Sequence, residues 1–228
     1  MVFRAKTKSI EVKMRFNKVT FFNDYKGRFG PLKQTEVNGL DFLLDQIEAD
    51  KEFSILRQVA YMLATVKGET GVFQPLKEKR ANPKKQPALF KQQQKYFPTG
   101  FFGRGYVQLT FEGNYRMAGQ KLAGTVIEVQ NKDGSKRKLT IDKDTFVKEP
   151  DLVMQPTASY QILARGMREG WFRKSKKGPF KLSGFIKEGS PPDYKGARNI
   201  INHPSSSADK FAGFAEKFEL ILRASLVS

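Results

Sequence analysis

Cysteine is absent from the 228-residue chain, and histidine occurs only once, as His203. Without cysteine the chain forms no disulfide and offers no thiolate to bind a metal or to act as a nucleophile. A single histidine also excludes a metal site built from several histidines. Carboxylates, hydroxyls and amides are the groups left for catalysis, and we expect no metal and no other cofactor.

Long apolar runs are also lacking. No stretch reaches the roughly 18 apolar residues of a membrane span, and charged side chains interrupt the start of the chain at Arg4, Lys6, Lys8, Glu11, Lys13 and Arg15. We therefore expect neither a signal peptide nor a transmembrane segment. The apolar content of 39% suffices for one sizeable core. The expectation is a monomer with a single domain over residues 1–228.

Acidic residues are few relative to basic ones, since 41 Lys and Arg face 23 Asp and Glu. The formal charge of +18 is spread along the chain, and residues 77–95, 132–148 and 173–187 are each rich in Lys and Arg. Such a field attracts polyanions, either nucleic acid or the anionic polymers of a bacterial envelope. A charged surface with no specific partner is the third interpretation. No nucleic-acid-binding signature is evident, so we expect no specific nucleic-acid partner.

Apolar residues recur at helical spacing in several segments, and this predicts a mainly α fold. The segments are residues 37–47, 55–66, 114–122, 156–171 and 211–222. Residues 125–129 and 138–141 favour β-strands around Asp133-Gly134, which predicts one small β-hairpin. Residues 73–102 and 174–189 show little periodicity and are predicted to be long loops.

Two glutamates are candidates for acid and base. Hydrolysis of a glycosidic bond needs one protonated and one ionised carboxyl group on either side of the bond. Glu69 follows the second predicted helix, where Gly68 and Gly71 favour a helix end and an irregular turn. Pro75 then favours a bend that can bring Glu78 to the same cleft. The alternative for either acid is an ordinary solvated surface charge.

A second motif runs from Gly103 to Asn114. Gly103 and Gly105 permit unusual backbone angles or close approach, and Gln108, Thr110 and Asn114 supply groups that hydrogen-bond sugar hydroxyls and amides. The alternative is a glycine-rich turn before an ordinary strand or helix. A phosphate-binding loop is disfavoured because no Lys-Ser or Lys-Thr pair completes it.

Both motifs resemble glycoside hydrolase family 19. Residues 64–73 resemble the first catalytic segment of that family, and residues 102–115 are similar to its Gly-Arg-Gly-x-x-Gln-Leu-Ser/Thr…Asn-Tyr segment. Further similarity lies at residues 29–50, 158–172 and 199–202. The family includes chitinases and phage endolysins of the lysozyme-like superfamily. The resemblance implies an α+β, lysozyme-like but mainly helical fold and an inverting mechanism.

The resemblance also implies roles for individual residues. Glu69 matches the general acid, Glu78 the general base, and Thr110 the residue that helps to hold the attacking water. The implied substrate-binding residues are Gln108, Asn114, Tyr115 and Asn202. Inversion needs room for water between the carboxylates, so we expect them to lie about 6.5 to 9.5 Å apart.

Some positions depart from the family pattern. Gly68 stands where a histidine commonly precedes the acid, and His203 stands where chitinases often have glycine. We interpret His203 as a loop or cap residue. The basic neighbours of Glu78 either hold it ionised or make it a surface ion pair. The sequence leaves open whether Glu78 or a nearby acid such as Glu112 is the base.

The expected function follows from the resemblance and from these absences. Plant chitinases of the family are secreted and disulfide-bonded, so the chain is interpreted as a phage or bacterial lytic enzyme. We expect an endolysin, a muramidase that cuts β-1,4 bonds between N-acetylmuramic acid and N-acetylglucosamine. It would stay in the host cytoplasm until holin-type lesions open the membrane, and its partners would be peptidoglycan strands and anionic envelope polymers. The alternatives are a chitinase and a catalytically silent basic protein that binds an envelope glycan.

Overall fold

Helices form most of the regular structure. The computed structural model describes residues 14–131, 133–203 and 207–227. In these ranges the α-helices are α1 (Lys18–Phe29), α2 (Gln34–Ala49), α3 (Leu56–Thr70), α4 (Pro87–Gln93), α5 (Glu112–Leu122), α6 (Thr145–Lys148), α7 (Pro156–Glu169), α8 (Leu182–Phe185) and α9 (Ala208–Ser225). Short 3-10 helices occur at Phe97–Thr99, Pro150–Met154 and Gly196–Ile200. The predicted mainly helical fold is confirmed.

The strands of the described residues are short and pair in antiparallel twos. They are β1 (Leu76–Lys77), β2 (Arg104–Gly105), β3 (Val126–Gln130), β4 (Lys136–Thr140), β5 (Lys174–Ser175) and β6 (Gly178–Pro179). β3 and β4 pair from Val126 with Thr140 to Gln130 with Lys136, which confirms the predicted hairpin. Gly134 has φ of 85° in the connecting turn, a conformation that favours glycine.

Helix α3 lies at the centre of the fold. It packs most extensively against α9, and α9 also packs against α1. The buried face of α9 follows the helical period, because Phe211, Ala215, Phe218 and Leu222 all point into the core. Buried apolar side chains from Met14 to Leu222 form one hydrophobic cluster. The single-domain interpretation of residues 1–228 stays a prediction.

One cation lies among the aromatic side chains of this core. The Lys67 Nζ atom is 4.5 Å from the ring centre of Phe29 and 5.5 Å from that of Phe214. The same atom donates a hydrogen bond of 2.7 Å to the Tyr25 hydroxyl. Burial lowers the pKa of Lys67, because the charged form is disfavoured away from water. The rings recover part of that cost by cation–π attraction.

Two segments predicted to be loops contain regular structure. Residues 73–102 include β1, α4 and a 3-10 helix, and residues 174–189 include β5, β6 and α8. The loop predictions missed these elements because β1 is fixed by pairing with the distant β2, and because α4 and α8 span too few turns to show a helical period. The sequence also predicts no helix at α1.

The end of α3 also differs from the expectation. The helix continues through Glu69 to Thr70, and Gly71 then caps it with φ of 71°. Glu69 therefore lies in the last helical turn and not on an irregular turn.

Among the described residues, no helix combines the length and the apolar character needed to cross a membrane. The charged segment 1–13, on which the absence of a signal peptide was argued, lies outside the described residues.

Candidate active site

Glu69 forms an ion pair with Arg198. The Nη1 atom of Arg198 donates to Oε1 of Glu69 at 2.5 Å, and the two side chains are 6% and 19% exposed. Arg198 comes from the 3-10 helix Gly196–Ile200, far from α3 in the chain. Its Nε atom is buried without a hydrogen-bond partner in the described residues. The guanidinium therefore depends on Glu69 as its counter-charge.

The absence of a side chain at Gly68 makes this pairing possible. A β-carbon built at Gly68 would overlap the ring of Phe211 from α9. That ring lies against the Arg198 guanidinium, with 4.1 Å between the guanidinium carbon and the ring centre. Phe211 thus fills the space beside Gly68 and contacts Arg198, the partner of Glu69.

Glu78 lies directly after β1, and three donors hold its carboxylate. Oε1 accepts from Gln93 Nε2 at 2.9 Å and from the Tyr96 hydroxyl at 2.8 Å. Oε2 accepts from the backbone N–H of Gly103 at 2.9 Å. Burial and the neighbouring Glu78 raise the pKa of Tyr96 to about 12, so its hydroxyl keeps its proton at neutral pH. Glu78 is a fixed, half-buried group and not a mobile surface charge.

Gly103 brings the two sequence motifs together. A β-carbon at Gly103 would lie 3.0 Å from Oε2 of Glu78 and 2.7 Å from Oε1 of Gln108. The backbone N–H of Glu78 also donates to the Gly103 carbonyl at 2.8 Å. Gln108 has φ of 53°, unusual for a non-glycine residue, and its Nε2 donates to the Leu76 carbonyl at 3.0 Å. The Gly103 segment and the Glu78 segment therefore form one unit.

Thr110 and Asn114 continue this unit towards α5. The Thr110 hydroxyl donates to the Gln108 carbonyl at 2.9 Å, which leaves its oxygen lone pairs available to an incoming donor. Asn114 Nδ2 donates to the Thr110 carbonyl at 2.7 Å. Asn114 is exposed and Thr110 is half-buried. Both residues thus lie at the surface, where a sugar chain can reach them.

Phe111 presents an exposed aromatic ring beside Tyr96, which donates to Glu78. Its side chain is 51% exposed, and its ring packs edge-on against Tyr96 with 5.3 Å between ring centres. Its backbone has φ of 71° and ψ of 136°, a strained combination for any residue with a side chain. The ring is open to the apolar face of a ligand sugar.

The structure corrects the assignment of Tyr115 as a substrate-binding residue. Its side chain is fully buried. The hydroxyl donates to the Phe102 carbonyl at 2.6 Å and accepts from Arg104 Nη1 at 2.9 Å. Arg104 is itself buried and donates through Nε to Asp151 at 2.7 Å. Tyr115 and Arg104 thus fix the motif from behind, and a ligand does not reach Tyr115.

Asn202 lies in a segment that follows Arg198 and is exposed. Its carbonyl accepts from Arg173 Nη1 at 2.8 Å, and its side-chain oxygen accepts from the backbone N–H of His203 at 2.8 Å. Arg173 also donates to the Asn199 carbonyl at 3.0 Å. Arg173 begins the β5–β6 turn, and we call residues 173–181 the basic hairpin. The segment around Asn202 is thus attached to this hairpin.

The predicted residues fall into two groups. Glu78, Gln108 and Thr110 belong to one group, with Asn114 at its edge. Glu69 belongs to the other, which leads through Arg198 to Asn202. No hydrogen bond of the described residues joins Glu69 directly to the first group, and the separation of about 6.5 to 9.5 Å between the carboxylates stays a prediction.

Glu112, the other candidate base, is part of neither group. Its carboxylate is 52% exposed and accepts from Arg116 at 2.6 Å, a spacing of one helical turn on α5. Such exposed pairs contribute little to stability. The geometry therefore favours Glu78 over Glu112.

Sequence reasoning missed three residues of the site: Arg198, Gln93 and Tyr96. Arg198 stands directly before the 199–202 segment that resembles family 19, and this position was a usable signal. Gln93 and Tyr96 lie in a stretch rich in Lys and Gln whose composition suggests only a loop. Nothing local in the sequence shows that both would be buried against Glu78.

Comparison with known proteins adds no relative. No family model, no curated protein and no solved structure matches this chain.

Proposed function

We propose that the chain is a peptidoglycan-cleaving glycosidase, an endolysin of the muramidase type. It hydrolyses the β-1,4 bond between N-acetylmuramic acid and N-acetylglucosamine with inversion, with Glu69 as the acid and Glu78 as the base. The proposal includes a lysozyme-like arrangement of the helices and membership of glycoside hydrolase family 19.

One observation carries the proposal: Glu78 and the Gly103 motif form a single unit. The two were chosen from separate parts of the sequence, and they meet at Gly103 through hydrogen bonds to both its N–H and its carbonyl. An ordinary surface acid has no reason to be held by three donors, which here are Gln93, Tyr96 and the backbone N–H of Gly103. An oriented carboxylate beside groups that bind sugar hydroxyls is what glycoside hydrolysis requires.

The contacts of the two carboxylates leave oxygen atoms open to the substrate and to water. Oε1 of Glu69 is paired with Arg198, and among the described residues no donor contacts its Oε2, which is left for the glycosidic oxygen. Glu78 accepts two hydrogen bonds on Oε1 and one on Oε2. A carboxylate has about four acceptor positions, so Oε2 can accept one more hydrogen bond from water. The Thr110 oxygen can accept the second hydrogen of that water.

Substrate and cellular role are proposed from charge and composition. Peptidoglycan carries carboxylates and chitin is neutral, so a charge of +18 favours the former. The proposed route is storage in the host cytoplasm and release to the wall through holin-type lesions. Phe111 supplies an exposed ring for stacking on a sugar next to the base.

The test is mass spectrometry of purified peptidoglycan after digestion by the wild type, Glu69→Gln and Glu78→Gln. Glu112→Gln is the matched control, because it removes the same charge from an exposed acid of the neighbouring motif. We expect new reducing N-acetylmuramic acid from the wild type and the control, and at least a hundredfold less from the other two. NMR of the first product should show the inverted anomer.

Each other outcome points elsewhere. Reducing N-acetylglucosamine would make the enzyme a glucosaminidase, and cleavage of chitin oligomers alone would make it a chitinase. No product from either substrate would refute hydrolysis and leave a glycan-binding protein. Full activity of Glu78→Gln with loss in Glu112→Gln would move the base to Glu112.

A further inference from the structure

The basic hairpin lies next to the candidate acid. Arg173 is the first residue of the hairpin, and its Nη1 atom donates hydrogen bonds to the carbonyls of Asn199 and Asn202. Arg198 immediately precedes Asn199 and pairs with Glu69. A glycan strand that passes Glu69 and Asn202 therefore passes the base of the hairpin.

The hairpin presents positive charge that the protein does not neutralise. Its exposed lysines have no acidic partner within the described ranges of the chain, and they are Lys174, Lys176, Lys177 and Lys181. The sequence also has no acidic residue between Glu169 and Glu188. A few lysines elsewhere are paired with an acid, for example Lys136 with Glu128 at 2.8 Å.

The backbone that carries these lysines is fixed. Lys174 pairs with Pro179 and Ser175 with Gly178. The Ser175 hydroxyl accepts from the backbone N–H of Lys177 at 3.1 Å within the turn. The anchor is rigid, whereas each lysine has a flexible stem and a point charge. This combination suits anions on a flexible substituent better than anions in one rigid geometry.

We propose that the basic hairpin binds the peptide-stem carboxylates of the glycan strand that is cut at Glu69. This inference rests on the proposed function. The lactyl carboxyl of each N-acetylmuramic acid is neutral while it forms the amide bond to a stem, so the stems are the charged substituents that project from the strand. Contacts between exposed charges are individually weak and are screened by salt. Three of them together should change KM about tenfold at low ionic strength.

The experiment compares two variants that lose the same charge. The hairpin variant is Lys174→Gln/Lys176→Gln/Lys177→Gln. The control is Lys136→Gln/Arg137→Gln/Lys138→Gln on β4, another exposed two-stranded hairpin, which packs against α7 through β3. Both are assayed for reducing ends on peptidoglycan freed of phosphate polymers, with its stem carboxylates intact or converted to neutral amides by carbodiimide coupling to methylamine. Circular dichroism checks the fold of each variant.

We expect the hairpin variant to raise KM about tenfold on intact peptidoglycan and to leave kcat unchanged. On amidated peptidoglycan it should match the wild type, and the control should change either KM by less than about twofold. Salt at about 0.3 M should remove most of the difference. The inference would be overturned if KM of the hairpin variant rose equally on both substrates, or if KM rose equally in the hairpin variant and the control.

Failure of the proposed function gives a different result. If the wild type cuts neither substrate, co-sedimentation with the two insoluble glycans still tests the hairpin. Binding that depends on the stem carboxylates and that the hairpin variant loses supports the inference without hydrolysis. Binding that is unchanged by amidation of the carboxylates, or hairpin-dependent binding only to walls that retain phosphate polymers, overturns it.

Discussion

Replacing Gly68 with alanine should destabilise the protein, although glycine is normally the weaker residue inside a helix. The added methyl group would overlap the Phe211 ring, and overpacking of a filled site costs about 1–3 kcal/mol. The helix preference for alanine offsets roughly 1 kcal/mol of this. A displaced Phe211 ring would also lose about 0.5–1 kcal/mol of attraction to Arg198. The net expectation is a loss of about 1–2 kcal/mol in the free energy of unfolding.

Urea denaturation measures this effect, and Gly213→Ala on α9 is the matched control. A β-carbon at Gly213 meets no atom within 4 Å, so this substitution should stabilise by about 0.5–1 kcal/mol. In a Phe211→Ala background the ring is gone, and Gly68→Ala should become neutral or stabilising. If Gly68→Ala is as stable as Gly213→Ala, the proposed contact among Gly68, Phe211 and Arg198 is refuted.

Three further predictions concern single side chains. Tyr96→Phe removes one donor to Glu78, so kcat should fall about tenfold while KM changes little in the peptidoglycan assay; an unchanged kcat would exclude this role. Phe111→Gly should be more stable than Phe111→Ala by about 1 kcal/mol in urea, because only glycine relieves the positive φ; the reverse order would contradict the strain. Burial lowers the pKa of Lys67 in the folded protein, so the unfolded state binds more protons than the folded state as pH rises towards 10.5. The free energy of unfolding of the wild type should therefore rise with pH in this range relative to that of Lys67→Met. A difference between the two proteins that does not change with pH would refute the burial effect.

The long helices and the β3–β4 hairpin were predictable because their signals are local. α9 shows its buried face as a 3.6-residue period, and Asp133-Gly134 marks the hairpin turn. α1 shows no comparable stripe, since only Phe21 and Tyr25 are buried in it. Its packing depends on α9, which comes at the other end of the described chain.

The candidate site was predictable in part. The motif chemistry pointed to Glu69, Glu78 and the Gly103 turn, and resemblance to a family supplied their roles. Burial of Tyr115 was not predictable, because an Asn-Tyr pair looks the same whether its tyrosine faces solvent or the core. The pairing of Glu69 with Arg198 depends on packing between segments far apart in the chain. Such contacts leave no local pattern.

The order of synthesis gives the Glu69–Arg198 pair a consequence for the living cell. Glu69 leaves the ribosome long before Arg198 and Phe211, and at about 5–20 residues per second the interval is roughly 7 to 28 s. During that time the nascent chain holds both candidate carboxylates but lacks the arginine and the ring that position one of them. A chain interrupted before residue 198 therefore cannot assemble this site. The assembled site is present only on chains that extend past Phe211.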